Sequence, residues 1–550
     1  VKKLFGILLV LALVLSFSVV ATTPVAAATT YYVATTGNDG TGDGSTGAPW
    51  ATIQYAISQA ASGDTIVVEG GTYFGATVDK AVTIEAKTGD VVTINSGPLV
   101  ISTWGRIGFY FADDYSGNGA TIRGFNFGGT NQAGTIDDNL LDFAIFSRGA
   151  HDVTVENNVI TDTLQAITNW HGDGWEIDGN VITNLWTLNG GGIGILVGTR
   201  YGATVTGNTI TNNKISGTLS VYPADSGGYD GTGIVLYTDF RWGFPGGIVT
   251  GSLVEGNEIS MVSDTPGVVN FSGIELTDTR GDDNNPAIYG NQVTYNSVKS
   301  NSRIGIYVSA GTTGNNINFN SIVGNPQHGV RYDGTGTLDA TLNWWGHASG
   351  PSSVGLGTGD AVSANVDFEP WLMEEDGAET TATDTGSGAT AFASTTSVSA
   401  QAAGGDGTTT VTVGEYAGNP SGASAGFRAG AVYVDVHVGG ELPNELVVEI
   451  DCPGSCAGVV LQWWDGTEWK VVVVQEIDNG IVRATLNEVD SSPLLSELTG
   501  TPFGLGSLST VGWEGSSVNK AAVVAPWIAL LATMMAGASL LVLRRRRAQI

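Results

Sequence analysis

Glu156-Asn157-Asn158-Val159-Ile160-Thr161, Gly179-Asn180-Val181-Ile182-Thr183 and Gly207-Asn208-Thr209-Ile210-Thr211 are versions of one phrase: a small residue, Asn, then apolar–polar–apolar. Fainter versions stand at Gly256-Asn257-Glu258-Ile259, Tyr295-Asn296-Ser297-Val298 and Phe319-Asn320-Ser321-Ile322. Ahead of each lies Ala or Gly followed by a β-branched residue: Ile145, Ile167, Ile195, Ile234, Ile274 and Ile306, with Val330 next in the series. From that Ile to the repeat Asn is 13 residues in the first three cases, 23 and 22 in the fourth and fifth, and 14 in the sixth. The fourth and fifth coils thus each carry an insertion of about nine residues at one place. Steps of 22, 28 and 24 between successive Ile or Val positions are the length of one β-solenoid turn.

Stacked coils place strands about 4.8 Å apart, so inward Ile, Val and Leu form continuous stripes. An Asn at the same corner of successive coils bonds the turn and its neighbours above and below, which is a structural reading of the repeat. In these phrases the chain resembles the right-handed parallel β-helix, or pectin-lyase-like, superfamily. The resemblance extends to Tyr31-Tyr32-Val33-Ala34, Gly37-Asn38-Asp39-Gly40 and the stretch from Trp50 to Tyr73. There, Ile53, Ala56, Ile57 and Ala60 at helical spacing predict an amphipathic helix over 51–61 that covers the open first coil. Asn343-Trp344-Trp345-Gly346 and Val366–Leu372 resemble the closing segment of the same proteins, with the adjacent Trp plugging the last coil. The expected fold is therefore all-β: a cap over 29–64 and a parallel β-helix over 65–373, of about a dozen coils and on the order of 55 Å long.

Lys2-Lys3, an apolar run from Leu4 to Val20 and then Ala26-Ala27-Ala28 read as a secretory signal peptide over 1–28. Val1 in place of Met suggests an alternative start codon and a prokaryote. Residues 521–543 carry no charge and are long enough to span a bilayer; the basic tail 544–550 with Arg544–Arg547 would stay in the cytoplasm. The body is thus expected outside the cell, anchored by its C-terminal helix. Residues 374–405, rich in Thr, Ser, Ala and Gly, read as a flexible linker. Period-two strands over 406–510 read as a small antiparallel β-sandwich, with Lys470–Gln475 returning as the partner of Val459–Trp464, and 511–520 leads on to the membrane. Cys452 and Cys456, the only cysteines, read as a disulfide in an oxidising compartment; metal binding by two ligands without a nearby His is the rival.

Of 22 basic residues, two lie in the leader and four in the tail, leaving 16 against 53 acidic ones. Such a face argues against nucleic acid and polyanionic partners and suits divalent cations or simple colloidal repulsion. The resemblance to pectate-lyase-like enzymes implies carboxylates holding Ca2+ with Arg or Lys as base; polygalacturonase-like relatives imply paired acids. The loops that follow Ile167, Ile195, Ile234 and Ile274 carry residues of those types. Asp239, Arg241, Asp278 and Arg280 are the candidates for chemistry. Asp239, Asp278, Asp282 and Asp283 are the candidate Ca2+ ligands, and Trp170, His171, Asp173, Trp175, Arg200 and Trp242 the candidate saccharide contacts. The opposing reading is that Asp and Arg on neighbouring coils neutralise each other and the aromatics shield a loop. Gln327-His328-Gly329 is only a faint match to the hydrolases' Gly-His-Gly, and the solenoid Lys share no register, so the enzymes' functional residues do not carry over.

Two classes of function remain. One is a structural or adhesive surface protein that binds polysaccharide along the 170–283 loops; the other is a Ca2+-dependent lyase or hydrolase of acidic polysaccharide at the same edge. Asp carboxylates gathered round one cation position beside an unpaired Arg or Lys indicate the enzyme, and Asp and Arg paired with each other indicate the scaffold. A third reading rests on resemblance to periplasmic β-helix proteins that assist copper-enzyme maturation. Only five His, four Met and two Cys speak against a copper site.

Overall fold

The computed structural model describes residues 28–507, apart from 96–99, 102–104, 112–115, 129–140, 188–190, 222–229, 266–269, 356, 376–378, 393–397, 407, 417–418, 420–426, 428–429, 453–455, 466–467 and 474. The chain divides after Glu375 into two compact units. Three long sheets build the first unit, of 12, 9 and 12 strands, here sheets I, II and III; a four-stranded sheet IV accompanies them. Each coil visits I, II and III in turn, as in Thr154–Glu156, Val159–Thr163 and Gln165–Trp170, before Glu176–Asp178 returns to sheet I. Apart from Val100–Ile101, which pairs antiparallel with Gly105–Phe111, neighbouring strands along these sheets run parallel, the pattern of a right-handed parallel β-helix.

The Ile series read from the sequence is one inward row of sheet III. Phe109, Ile145, Ile167, Ile195, Ile234, Ile274, Ile306, Val330 and Val362 pair in that order, and all are fully buried. The small residue before each has a steric cause. At Gly233 a Cβ would stand 2.5 Å from the carbonyl oxygen of Gly273 on the next coil, so only a minimal side chain lets the strands approach there.

The repeated Asn form a buried ladder between sheets I and II: Asn158, Asn180, Asn213, Asn257, Asn296, Asn320 and Asn343. Every rung has the same polarity. The Oδ1 of Asn180 accepts from the backbone N–H and Nδ2 of Asn158 at 3.0 Å, and its own Nδ2 donates to the Val155 carbonyl and to Asn213 Oδ1 at 2.9 Å. The residue before each rung takes the left-handed conformation, among them Asn157, Gly179, Asn212 and Gly256.

One repeat was misplaced in the sequence. Gly207-Asn208-Thr209-Ile210-Thr211 enters sheet I, where Ile210 pairs with Ile177, and the true third rung is Asn213 ahead of Ile215. The phrase recurs there because both corners need a left-handed residue, Gly207 here, followed by a buried Asn. The inserted lengths also differ from expectation. They begin one coil earlier and pair as sheet IV, through Tyr201–Thr206, Gly246–Thr250, Ile288–Tyr289 and Thr312–Thr313.

Helix Ile53–Gln59 lies inside the expected 51–61 and buries Ile53, Ala56 and Ile57 in the solenoid core. Thr52 Oγ1 accepts from the Tyr55 N–H, and Lys80 Nζ donates to the carbonyls of Ile57, Ser58 and Ala60, which closes the other helix end. At the far end, Trp345 is fully buried, and Trp344 bridges Ser321 and Leu372.

The second unit contains a six-stranded and a five-stranded sheet, both antiparallel, whose inner faces share one core. The expected linker over 374–405 is not a linker: Glu379–Thr385, Thr390–Phe392 and Val398–Ala403 are strands of these two sheets. Val398, Ala400 and Ala402 alternate inward, and side chains this small concealed the period of a strand. The expected strand Lys470–Gln475 is also split. Trp469–Val471 pairs with Val459–Trp464 in one sheet, and Gln475–Asp478 belongs to the other. The Cys452–Cys456 disulfide is formed. Residues 1–27 of the expected leader, and the expected membrane-spanning stretch with its basic tail, lie outside the described residues. Among the described residues no helix is long and apolar enough to cross a membrane.

Candidate functional site

The loops after the sheet III strands do stack. Trp170 pairs with Gly198, Gly198 with Tyr237 and Tyr237 with Thr277, so Arg200, Asp239, Arg241, Asp278 and Arg280 leave the sheet at one edge in successive coils. Gly198 makes room for its neighbour: a Cβ there would stand 3.2 Å from the Trp170 ring. The Arg200 guanidinium lies 3.9 Å from the centre of that ring and 5.2 Å from that of Phe244, with Asp239 Oδ2 at 3.8 Å. Burial lowers the Arg200 pKa, opposed by the Asp239 charge.

Asp239 is buried and accepts from Arg241 Nε at 2.9 Å, while Arg241 also bonds the Tyr237 hydroxyl. The bond to Asp239 raises the Arg241 pKa, and burial pushes Tyr237 up to about 12. One coil on, Arg280 donates to Asp278 at 3.2 Å and lies 4.1 Å from the centre of the Phe240 ring. Burial raises Asp278, opposed by its bonds from Arg280. Both carboxylates put forward for chemistry are thus engaged by their own arginines.

The expected Ca2+ ligands do not assemble. Asp282 turns onto the Asn284 N–H at 3.1 Å. Asp283 ties two coils together by accepting from the Gly311 and Thr335 N–H groups at 2.8 Å, bonds that hold its carboxyl below the usual range. Among the described residues no group of three or more His, Cys, Asp or Glu stands where it could hold a metal ion.

Two of the expected saccharide platforms are interior. Trp175 is fully buried and donates from Nε1 to the Ala150 carbonyl at 2.7 Å; Trp170 is covered by Arg200. Asp173 accepts from the Thr206 N–H at 2.8 Å, which ties its loop to the next coil. His171 is buried, bonded through Nδ1 to Thr199 Oγ1 at 3.1 Å, and burial together with Arg200 and Arg148 pushes it down to about 4. Aromatic positions of this kind read alike in sequence whether they face the core or water; the stripe parity that separates them depends on where each strand bends.

Trp242 behaves otherwise. It is 88% exposed and has φ 58°, in a short turn between the half-exposed Arg241 and Gly243. A left-handed non-glycine residue costs roughly 1–2 kcal/mol; the Phe244 N–H closes the turn on the Arg241 carbonyl at 3.0 Å, but the ring itself packs on no core. Tyr201, absent from the expected contacts, is half-exposed and stands 5.1 Å from the His171 ring and 5.5 Å from that of Phe244. Its position beside Arg200 was the available signal. Glu275 was missed as well. It lies on the outer face of sheet III beside Tyr307, and desolvation raises it to about 7.

Residues 142–351 match the family model described as periplasmic copper-binding protein (NosD). The residues present do not fit copper: the cysteines are joined in a disulfide, and the described His never converge three to a site with Asp, Glu or one another. No curated protein matches the chain. Among solved structures, XylC in complex with xylose is 12% identical and covers 56% of this chain and 70% of its own, with a TM-score of 0.31. Pectate lyase Pel9A is 15% identical, covering 62% and 79%, with a TM-score of 0.27. Polygalacturonase from Erwinia carotovora ssp. carotovora is 13% identical, covering 62% and 96%, with a TM-score of 0.28. Scores of this size leave the fold resting on the strand register above. With its coils in parallel register, the first unit is a right-handed parallel β-helix, and residues 142–351 within it are similar to the NosD family.

Proposed function

We propose that the edge formed by Tyr201, Arg241 and Trp242 binds carbohydrate without turning it over, and that the protein serves as a structural or adhesive element outside the cytoplasm. The observation that carries this reading is Trp242, an exposed ring on strained backbone beside a guanidinium that still faces solvent. Strain kept without a packing return points to a ligand, and a flat ring next to hydrogen-bond donors suits the apolar face of a sugar and its hydroxyls. Against turnover stands the pairing of Asp239 with Arg241 and of Asp278 with Arg280, and among the described residues no acidic or His cluster stands where it could hold a cation. The matched family's description as periplasmic supports a location beyond the inner membrane. Residues 521–543 would then hold the protein to that membrane.

A glycan array probed with the purified protein, followed by calorimetry on the best ligand, tests this. Trp242→Ala is expected to weaken binding at least tenfold with unfolding unchanged. Undiminished binding by that variant would refute the site. Release of unsaturated uronate product that requires Ca2+ and is lost in Asp239→Asn would make the protein a lyase instead.

A further inference from the structure

In the six-stranded sheet of the second unit, register fixes what faces outward. Tyr433 pairs with Gly504, Gly504 with Gln462 and Gln462 with Val471; one row over, Trp464 pairs with Trp469. Their chain neighbours Val434, Phe503, Leu461 and Trp463 belong to the core, so this set lies on the opposite face. Tyr433 and Trp469 have two strands between them, yet their ring centres are 5.8 Å apart, so both lean over Gly504 and Gln462. Trp464 continues the group 5.7 Å from Trp469, and Phe427 extends it 6.3 Å from Tyr433. Glycine allows the rings to lie down on the strand: a Cβ on Gly504 would stand 2.8 Å from the Phe427 ring and 3.1 Å from that of Tyr433. All four rings are half-buried. Gln462 beneath them is only 8% exposed, and its buried Oε1 has no hydrogen-bond partner among the described residues. A buried acceptor left unbonded costs stability and calls for a reason.

We propose that these rings and Gln462 form a second binding face, separate from the Trp242 edge, whose ligand is a neutral glycan. The ring faces suit the C–H faces of sugar rings, and a sugar hydroxyl that enters between Tyr433 and Trp469 donates to Gln462 Oε1. A proline-rich peptide is the other ligand that clustered aromatic rings favour, but proline nitrogens carry no hydrogen, and the group left unbonded here is an acceptor. An acidic glycan would meet no cation. Neither row holds Lys or Arg; Lys470 pairs with Trp463 on the core side and is bound to Asp465, and the exposed Glu468 adjoins Trp469.

Calorimetry on the full-length Trp242→Ala chain with laminarihexaose, cellohexaose and mannohexaose isolates this face from the solenoid edge. At least one of the three is expected to bind, and adding Trp469→Ala should weaken that binding at least tenfold. Adding Gln462→Leu instead should weaken it at least tenfold while raising the unfolding temperature, since the unbonded acceptor is gone; a purely structural Gln462 would move only the second readout. Binding that survives both substitutions overturns the proposal, as does tighter binding of decaproline than of any of the three sugars. No binding to the Trp242→Ala chain also overturns it, and if the unsubstituted chain binds in the same assay, the solenoid edge stands alone.

Discussion

Asn257→Ala removes one rung from the middle of the ladder. Its Oδ1 accepts from the Asn213 N–H at 2.9 Å and Nδ2 at 3.0 Å; its Nδ2 donates to the Ile210 carbonyl at 2.8 Å, to Glu255 at 3.2 Å and to Asn296 Oδ1 at 2.9 Å. After truncation the Asn213 N–H has no acceptor in a site from which water is excluded, a cost of about 1–3 kcal/mol. Asn213 Nδ2 keeps its bond to Ile177 and Asn296 Oδ1 keeps its bond from the Asn257 N–H, so these groups lose only part of their satisfaction. Two further net bonds at about 1 kcal/mol each bring the total to roughly 3–5 kcal/mol. At about 2.1 cal/mol/K per residue, unfolding residues 28–375 carries an entropy of about 0.7 kcal/mol/K, so the solenoid transition should fall by roughly 4–7 °C. Asn257→Asp sharpens the test. It retains the acceptor for Asn213 but turns a carboxylate oxygen toward two carbonyls and another Oδ1, so at neutral pH it should destabilise more than Ala. Burial raises that carboxyl above its unfolded value. The penalty therefore grows as pH rises above the unfolded pKa and recedes in acid, where the protonated form donates again. Calorimetry that resolves the two units, run at pH 7 and pH 4, measures both effects. A solenoid transition that moves by less than about 1 kcal/mol, or an Asp variant milder than Ala at pH 7, would refute a ladder that holds the coils together.

Glycine positions separate strain from contact. Gly233→Ala should cost more than Gly207→Ala, since the first sets a Cβ 2.5 Å from a carbonyl oxygen and the second meets nothing within 4 Å despite its φ of 68°; urea midpoints of the two variants check the order. His171 falls from 6.5 to about 4 on folding, so the unfolded chain binds the extra proton. Stability is present at neutral pH and should be lost as pH drops from about 6.5 to 4, by an amount on the order of 3 kcal/mol, and His171→Gln should flatten that slope. Glu275, raised from 4.5 to about 7, has the opposite sign: the folded state holds the proton, and stability declines as pH climbs from about 4.5 to 7. Glu275→Gln should therefore stabilise the protein at pH 8 by about 1–3 kcal/mol and change little at pH 4, as read from unfolding at the two pH values.

The solenoid was legible because its periodicity has one cause. A row such as Ile145 to Val330 must face the core in every coil, and the Gly or Ala before it must admit the next strand, so spacing alone recovers the row. Where two corners impose the same demand, spacing fails. Gly207-Asn208 and Asn212-Asn213 each supply a left-handed residue and a buried Asn, and only the strand pairing shows which one continues the ladder. In the second unit the Thr-, Ser- and Ala-rich stretch hid three strands, because Val398, Ala400 and Ala402 bury so little area that their alternation is faint.

At the candidate site, the stacking of these loops on one edge was legible in the sequence, but the direction in which each side chain points was not. Stacking follows from coil length, which is countable; exposure follows from which side of a bent strand a ring occupies, which is not. Thus Trp170 and Trp175, chosen as platforms, are packing residues, and Trp242, four positions beyond the end of strand Gly231–Thr238, is the ring that reaches water. The same geometry explains why paired charges accumulate at this edge. A coil that leaves the sheet with an Asp must satisfy that carboxylate where water is scarce, and an Arg two residues on, as in Asp239 with Arg241 and Asp278 with Arg280, reaches it within the same turn. Neutralising the carboxylate locally removes the group a lyase would need for its cation. It also leaves the outer guanidinium of Arg241 beside Trp242, where a ligand held by stacking and hydrogen bonds alone can meet both.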